Sequence, residues 1–142
     1  MKRKCQVITL ILISIFTSCS NVPDVSIIIS PDAGRQEKLA AKEIRKYFYQ
    51  RTGEILTIAT ESKSANKITL STDALLAEDE FLLQTNEGDL TISGGSPQSV
   101  LYGAYELAEQ LGVRFYLHGD VVPDKKVAFS IPELNIKKKP LK

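Results

Sequence analysis

The fold is decided by one stretch, Gly94-Gly-Ser-Pro-Gln-Ser-Val-Leu-Tyr-Gly-Ala-Tyr-Glu-Leu-Ala-Glu-Gln-Leu-Gly-Val-Arg-Phe-Tyr-Leu-His-Gly-Asp120. Gly94 and Gly95 close a strand. Ser96 is a good N-cap, because its hydroxyl can accept from an unpaired N–H of the first turn. Pro97 at the first helical position sacrifices only an N–H that has no intrahelical partner. Val100, Leu101, Ala104, Leu107, Ala108 and Leu111 then fall on the stripe of a helix with one buried face. Gly112 ends it by supplying a left-handed conformation. Val113 to Leu117 resumes as a short strand, and His118-Gly119-Asp120 turns out of it.

Upstream, Val25 to Ile29 is a β-branched run that predicts a strand buried on both faces. Ser30-Pro31-Asp32 breaks it. A helix follows over about Gln36 to Arg51, with Ala40, Ala41, Ile44, Tyr47 and Phe48 on its apolar side and Gly53 as its stop. Ile55 to Ala59 and Lys67 to Ser71 read as strands. Ala74 to Asp79 reads as either a helical turn or a loop. Glu80 to Thr85 and Leu90 to Ser93 form a hairpin about Asn86-Glu87-Gly88-Asp89. Downstream, Val127 to Ile131 reads as a weak last strand and Asn135 to Lys142 as a basic tail with no core to bury. The order strand, helix, several strands, helix, strand predicts an α+β two-layer sandwich, a mixed β-sheet with its two main helices packed on one face. The hairpin in the middle of the chain argues against a doubly wound parallel sheet.

The first residues read as a targeting segment. Lys2, Arg3 and Lys4 precede a short apolar run, Val7 to Phe16, too short to span a bilayer. Phe16-Thr17-Ser18-Cys19 resembles a bacterial lipobox, with Phe where Leu is usual, and Cys19 is the expected lipidation site; a plain secretory signal is the other reading. The expected organisation is a lipoprotein-type signal peptide over 1–18, a tether over 19–24, an α+β domain over 25–132 and a linker-like tail over 133–142. The protein is expected to be exported, anchored by lipid in the outer membrane or periplasm. Cys5 lies in the discarded segment, so no disulfide is expected.

The 142 residues suit one domain. Removing Lys2, Arg3 and Lys4 from the 18 basic residues leaves them outnumbered by the 17 acidic ones. That balance argues against nucleic acid as a partner and offers no general attraction for an anionic surface.

Several candidate chemistries compete with simpler readings. The Gly94-Gly95-Ser96-Pro97 turn lacks the Lys-Ser/Thr of a phosphate-binding loop, and strand termination with helix capping explains it. His118, the sole histidine, precedes Asp120, but a nucleophilic triad would need a placed Ser or Cys, and His118 with Asp120 and Asp124 is a thin metal-ligand set. The acidic groups Glu78-Asp79-Glu80 and Asp120 with Asp124 could suggest a glycosidase pair, yet a solvated strand edge and a turn account for them. No catalytic residue, metal or cofactor is expected. Arg114, Tyr116, His118 and Asp120 remain, with Arg114, Tyr116 and His118 on one side of an alternating strand and Val113, Phe115 and Leu117 on the other. Such residues suit a docking surface as well as simple exposure to solvent.

The run LYGAYELAEQLGVRFYLHGD, with AAKEIRKYF and DEFLLQTNEGDLTISGGSP upstream, resembles the N-terminal accessory domain of exo-acting glycoside hydrolases, among them α-glucuronidases and bacterial β-N-acetylhexosaminidases. The resemblance covers about Val25 to Ile131. It implies an α+β sandwich preceding a (β/α)₈ barrel that carries the catalytic carboxylates and the sugar pocket. Such a barrel needs about 250 residues, so the expectation is a non-catalytic leading module, from a truncated or split chain, acting in carbohydrate metabolism. Its partner would be a barrel in cis or in trans, with Arg114, Tyr116, His118 and Asp120 at the barrel-facing surface. The alternative is a stand-alone glycan-binding envelope lipoprotein, for which the absence of Trp leaves few aromatic platforms.

Overall fold

The computed structural model describes residues 23–140. The expected signal peptide, Cys19 and most of the tether lie outside the described residues. The elements are β1 (Val25–Ile28), α1 (Arg35–Thr52), β2 (Thr57–Ala59), β3 (Asn66–Thr72), β4 (Phe81–Asn86), β5 (Asp89–Gly94), α2 (Pro97–Gln110), β6 (Arg114–Tyr116), β7 (Gly119–Val121) and β8 (Asn135–Lys138).

Six strands make one sheet in the order β2-β1-β3-β5-β4-β8. Neighbours from β2 to β5 are parallel, and β4 runs against both β5 and β8. The two helices pack against each other, α1 over β1 to β3 and α2 over β3 to β5. This is the expected α+β sandwich. Ile27, Ile68, Leu83, Leu90 and Ile92 supply the sheet side of the core, met by Ala40, Ala41, Ile44 and Phe48 of α1 and by Val100, Ala104 and Leu107 of α2. At Gly103 the helix comes so close to the sheet that a Cβ would lie 2.6 Å from Ile92 Cγ2.

Local signals set the ends of these elements. The Glu37 carboxylate accepts the Gly34 N–H at 2.7 Å, and Gly53 at φ 87° closes α1. Ser96 caps α2 by accepting from the Ser99 N–H at 3.3 Å. At the other end Gly112 N–H donates to Glu109 and Val113 N–H to Ala108, the paired bonds of a Schellman turn, with Gly112 at φ 92°. The β4–β5 turn uses Glu87 and Gly88 at φ 50° and 87°, the two positive angles of a type I′ hairpin. The loop after β2 runs across the outer face of β1, where Ser26, Ser62 and Ser64 bond one another at 2.7–2.9 Å. Ser26 is therefore buried with its hydroxyl satisfied.

The structure corrects three readings. Residues 127–131 form no strand; Phe129 and Ile131 pack against the core from an irregular segment, while Val127 N–H donates to the Arg51 carbonyl. The tail expected to be linker-like instead supplies β8, whose Ile136 pairs with Leu83 and packs on the core. Its lysines meet the acidic run: Lys137 pairs with Glu80, Lys139 with Asp79, and Lys138 with the buried Glu106 of α2. Finally, β6 joins no strand of the main sheet. The chain leaving Gly112 pairs with itself, and β6 with β7 makes a separate two-stranded hairpin.

Arg51 ties the irregular segment down. Its buried guanidinium donates to the carbonyls of Leu111, Pro123 and Lys125 at 2.6–3.0 Å, joining the ends of both helices.

Candidate functional site

The β6–β7 hairpin carries all four expected surface residues and stands outside the main sheet. Its inner side is held by packing. Val113 is fully buried with Tyr47 and Ala108. Phe115 meets Tyr47 and Tyr105 edge to face, at centroid distances of 5.6 and 5.2 Å. Leu117, expected on this inner side, sits at the turn between the strands and is fully exposed. The alternation ends where the turn begins.

The four residues divide into two pairs. Arg114 donates to the carbonyls of Glu109 and Val113 at 3.0 and 2.8 Å, which places a cation at the C-terminal end of α2. Asp120 accepts from the Tyr47 hydroxyl at 2.5 Å and from Lys46 Nζ at 3.2 Å. Both side chains are turned toward their own helices. Tyr116 and His118, by contrast, face outward and stack on each other, with ring centroids 5.4 Å apart and planes within 6°. The outer edge of the hairpin therefore presents Tyr116, Leu117, His118 and Val121.

The Asp120 cluster was not visible in the sequence, because its partners lie on α1. Tyr47 is on the apolar stripe, and a buried tyrosine hydroxyl needs an acceptor; that is the one signal that could have pointed to it. Hydrogen bonds from Tyr47 and Lys46 hold the Asp120 carboxyl below its ordinary range. Burial and the Asp120 carboxylate both push the Tyr47 hydroxyl up. Burial opposes the charge on Lys46, but bonds to Tyr47 and Asp120, with Glu43 nearby, outweigh it and raise that group as well.

The remaining sequence candidates are taken up by packing. A Cβ at Gly95 would fall 1.8 Å from the Ala77 carbonyl oxygen, so this turn is filled by its own chain. The hydroxyls of Ser96 and Ser99 both donate to the Glu78 carbonyl. Among the described residues no group of three or more His, Cys, Asp or Glu is placed to hold a metal ion.

No family model matches the chain, and no curated protein matches it. Solved structures do. The chain is similar to BtGH115A, a family GH115 4-O-methyl-α-glucuronidase with specificity for decorated arabinogalactans, at 20% identity and a TM-score of 0.68. That match covers 83% of this chain and 17% of the other. A GH138 enzyme targeting pectin rhamnogalacturonan II is similar at 19% identity and a TM-score of 0.54, over 62% of this chain and 13% of that one. A GH20 β-N-acetylhexosaminidase from Streptomyces coelicolor A3(2) matches at 15% identity and a TM-score of 0.53, over 66% and 18%. The shared property is the fold. The structural neighbours are glycoside hydrolases, and this chain spans less than a fifth of each.

Proposed function

We propose that the protein is a non-catalytic accessory module of a secreted carbohydrate-degrading glycoside hydrolase, docking to a (β/α)₈ barrel supplied in cis or in trans. The observation that supports this reading is the fold likeness to a small part of much larger glycoside hydrolases, over 83% of this chain in the GH115 case. The β6–β7 hairpin is the proposed docking element. Its outer edge exposes Tyr116, Leu117 and Val121, while Arg114 and Asp120 fix its orientation from behind. Export, and attachment of lipid at Cys19, rest on the sequence of the first nineteen residues.

Two measurements test the reading. Protein comprising residues 20–142, incubated with aryl glycosides and aryl uronides, is expected to give no turnover above a heat-inactivated control. Turnover abolished by His118→Ala would place an active site in the hairpin and overturn the proposal. A barrel encoded beside this chain is expected to bind in trans, and Leu117→Asp to weaken that binding at least ~tenfold, the loss typical of an interface anchor. Binding indifferent to Leu117→Asp removes the hairpin from the interface.

A further inference from the structure

The near balance of charge in the sequence conceals a segregation in space. The exposed side of α1 carries Arg35, Lys38, Lys42 and Arg45, spaced three or four residues apart and so aligned along one face. None of the four has an ion pair among the described residues. They line two shallow depressions that share Lys42 and so form one continuous strip. Along the same strip stand three exposed apolar groups: Leu39, Tyr49 and, just past the helix, Ile55, which is 68% exposed. Lys126 lies over the Tyr49 ring, 5.2 Å from its centroid, adding a further cation at that end.

From this we propose that the outer face of α1 lies against the surface of an anionic phospholipid bilayer, its cations on the head groups and Leu39, Tyr49 and Ile55 at the acyl boundary. Cations mixed with exposed aliphatic and aromatic side chains on one helix face are the combination that binds such an interface. A hydrated polyanion such as an acidic polysaccharide would use the cations and gain nothing from Leu39 or Ile55.

Chain geometry favours the same occupant. Helix α1 runs back along β1, so that β2 starts beside it, with Ser26 opposite Thr57. Ile55 therefore lies level with the point where the chain enters β1. Five residues separate Cys19 from Val25, a reach of about 20 Å when fully extended. This second argument rests on the lipid attachment proposed above; the charge and apolar pattern does not.

The test is co-sedimentation with phospholipid vesicles. Both core clusters draw their members from residues 25–136, so protein comprising residues 20–142 keeps all of them. It is expected to bind phosphatidylcholine–phosphatidylglycerol vesicles, to ignore vesicles of phosphatidylcholine alone, and to be released by added salt. The triple variant Lys38→Glu, Lys42→Glu, Arg45→Glu is expected to lose at least ~tenfold in partitioning. Its melting curve reports whether it remains folded, and the milder Lys→Gln and Arg→Gln set replaces it if not. Ile55→Ser is expected to weaken vesicle binding with the charge unchanged. Equal binding to both kinds of vesicle, or none, overturns the proposal while leaving the hairpin reading intact. So does retention on polygalacturonate as tight as on anionic vesicles with Ile55→Ser changing neither, which would assign the strip to an acidic polysaccharide.

Discussion

In the sequence Asp120 looks like a surface residue offered to a partner, and the structure turns its carboxylate inward, onto Tyr47 and Lys46. It is better described as a positioning residue, because it fixes how the hairpin leans on α1. The bond is charge-assisted but half in water, so Tyr47→Phe is expected to cost only about 1 kcal/mol. The pH dependence gives a sharper readout. A carboxyl lowered in the folded state stabilises above its ordinary value of 3.8 and loses that contribution as the pH falls through the depressed value. The Tyr47 hydroxyl behaves in the opposite sense: raised above 10.0, it stabilises below that pH and loses its contribution as the pH climbs. Melting temperatures of wild type and Asp120→Asn should therefore differ at neutral pH and converge in acid, and Tyr47→Phe should flatten the fall on the alkaline side. A gap that stays constant across the carboxylate range would mean that Asp120 has no such bond in solution.

Helix α2 shows how an element can be specified locally and still be placed by something distant. Its cap, its proline and its Schellman glycine were legible in the sequence, since each acts within one turn of the chain. Gly103 was not. In isolation an interior glycine weakens a helix, and replacing it with alanine would add about 1 kcal/mol. Here the added methyl would strike Ile92 Cγ2, a branch too close to its own backbone to swing aside. Overpacking of this kind costs about 1–3 kcal/mol, so Gly103→Ala is expected to lower stability by a net ~1 kcal/mol in urea denaturation. In an Ile92→Ala background the same change should become neutral or stabilising; an equal loss in both backgrounds would show that the helix does not approach the sheet here. Strand β8 was hidden for a related reason. Asn-Ile-Lys-Lys offers one apolar side chain and no period, and its pairing depends on the free edge of β4, which lies about fifty residues earlier. The span 127–131, with better strand composition, finds no edge to join and is held by Phe48 and Arg51 instead.

At the scale of the whole molecule, composition misled most where it averaged. A nearly neutral chain gave no reason to expect a basic face, yet Asp79 and Glu80 pair with lysines of the C-terminal segment while α1 keeps four of its cations unmatched among the described residues. The sheet order carries one more consequence. The chain enters the domain on β1, which is flanked on both sides by parallel neighbours, with three register pairs to β2 and four to β3. It reaches Pro140 through β8, which points the same way as β1 and holds β4 by four pairs. A pull between the two ends runs along the strands and loads each set of backbone bonds together, in shear, instead of opening them one at a time. A module held at its first residues and dragged from its last would resist as a unit until the sheet gave way at once.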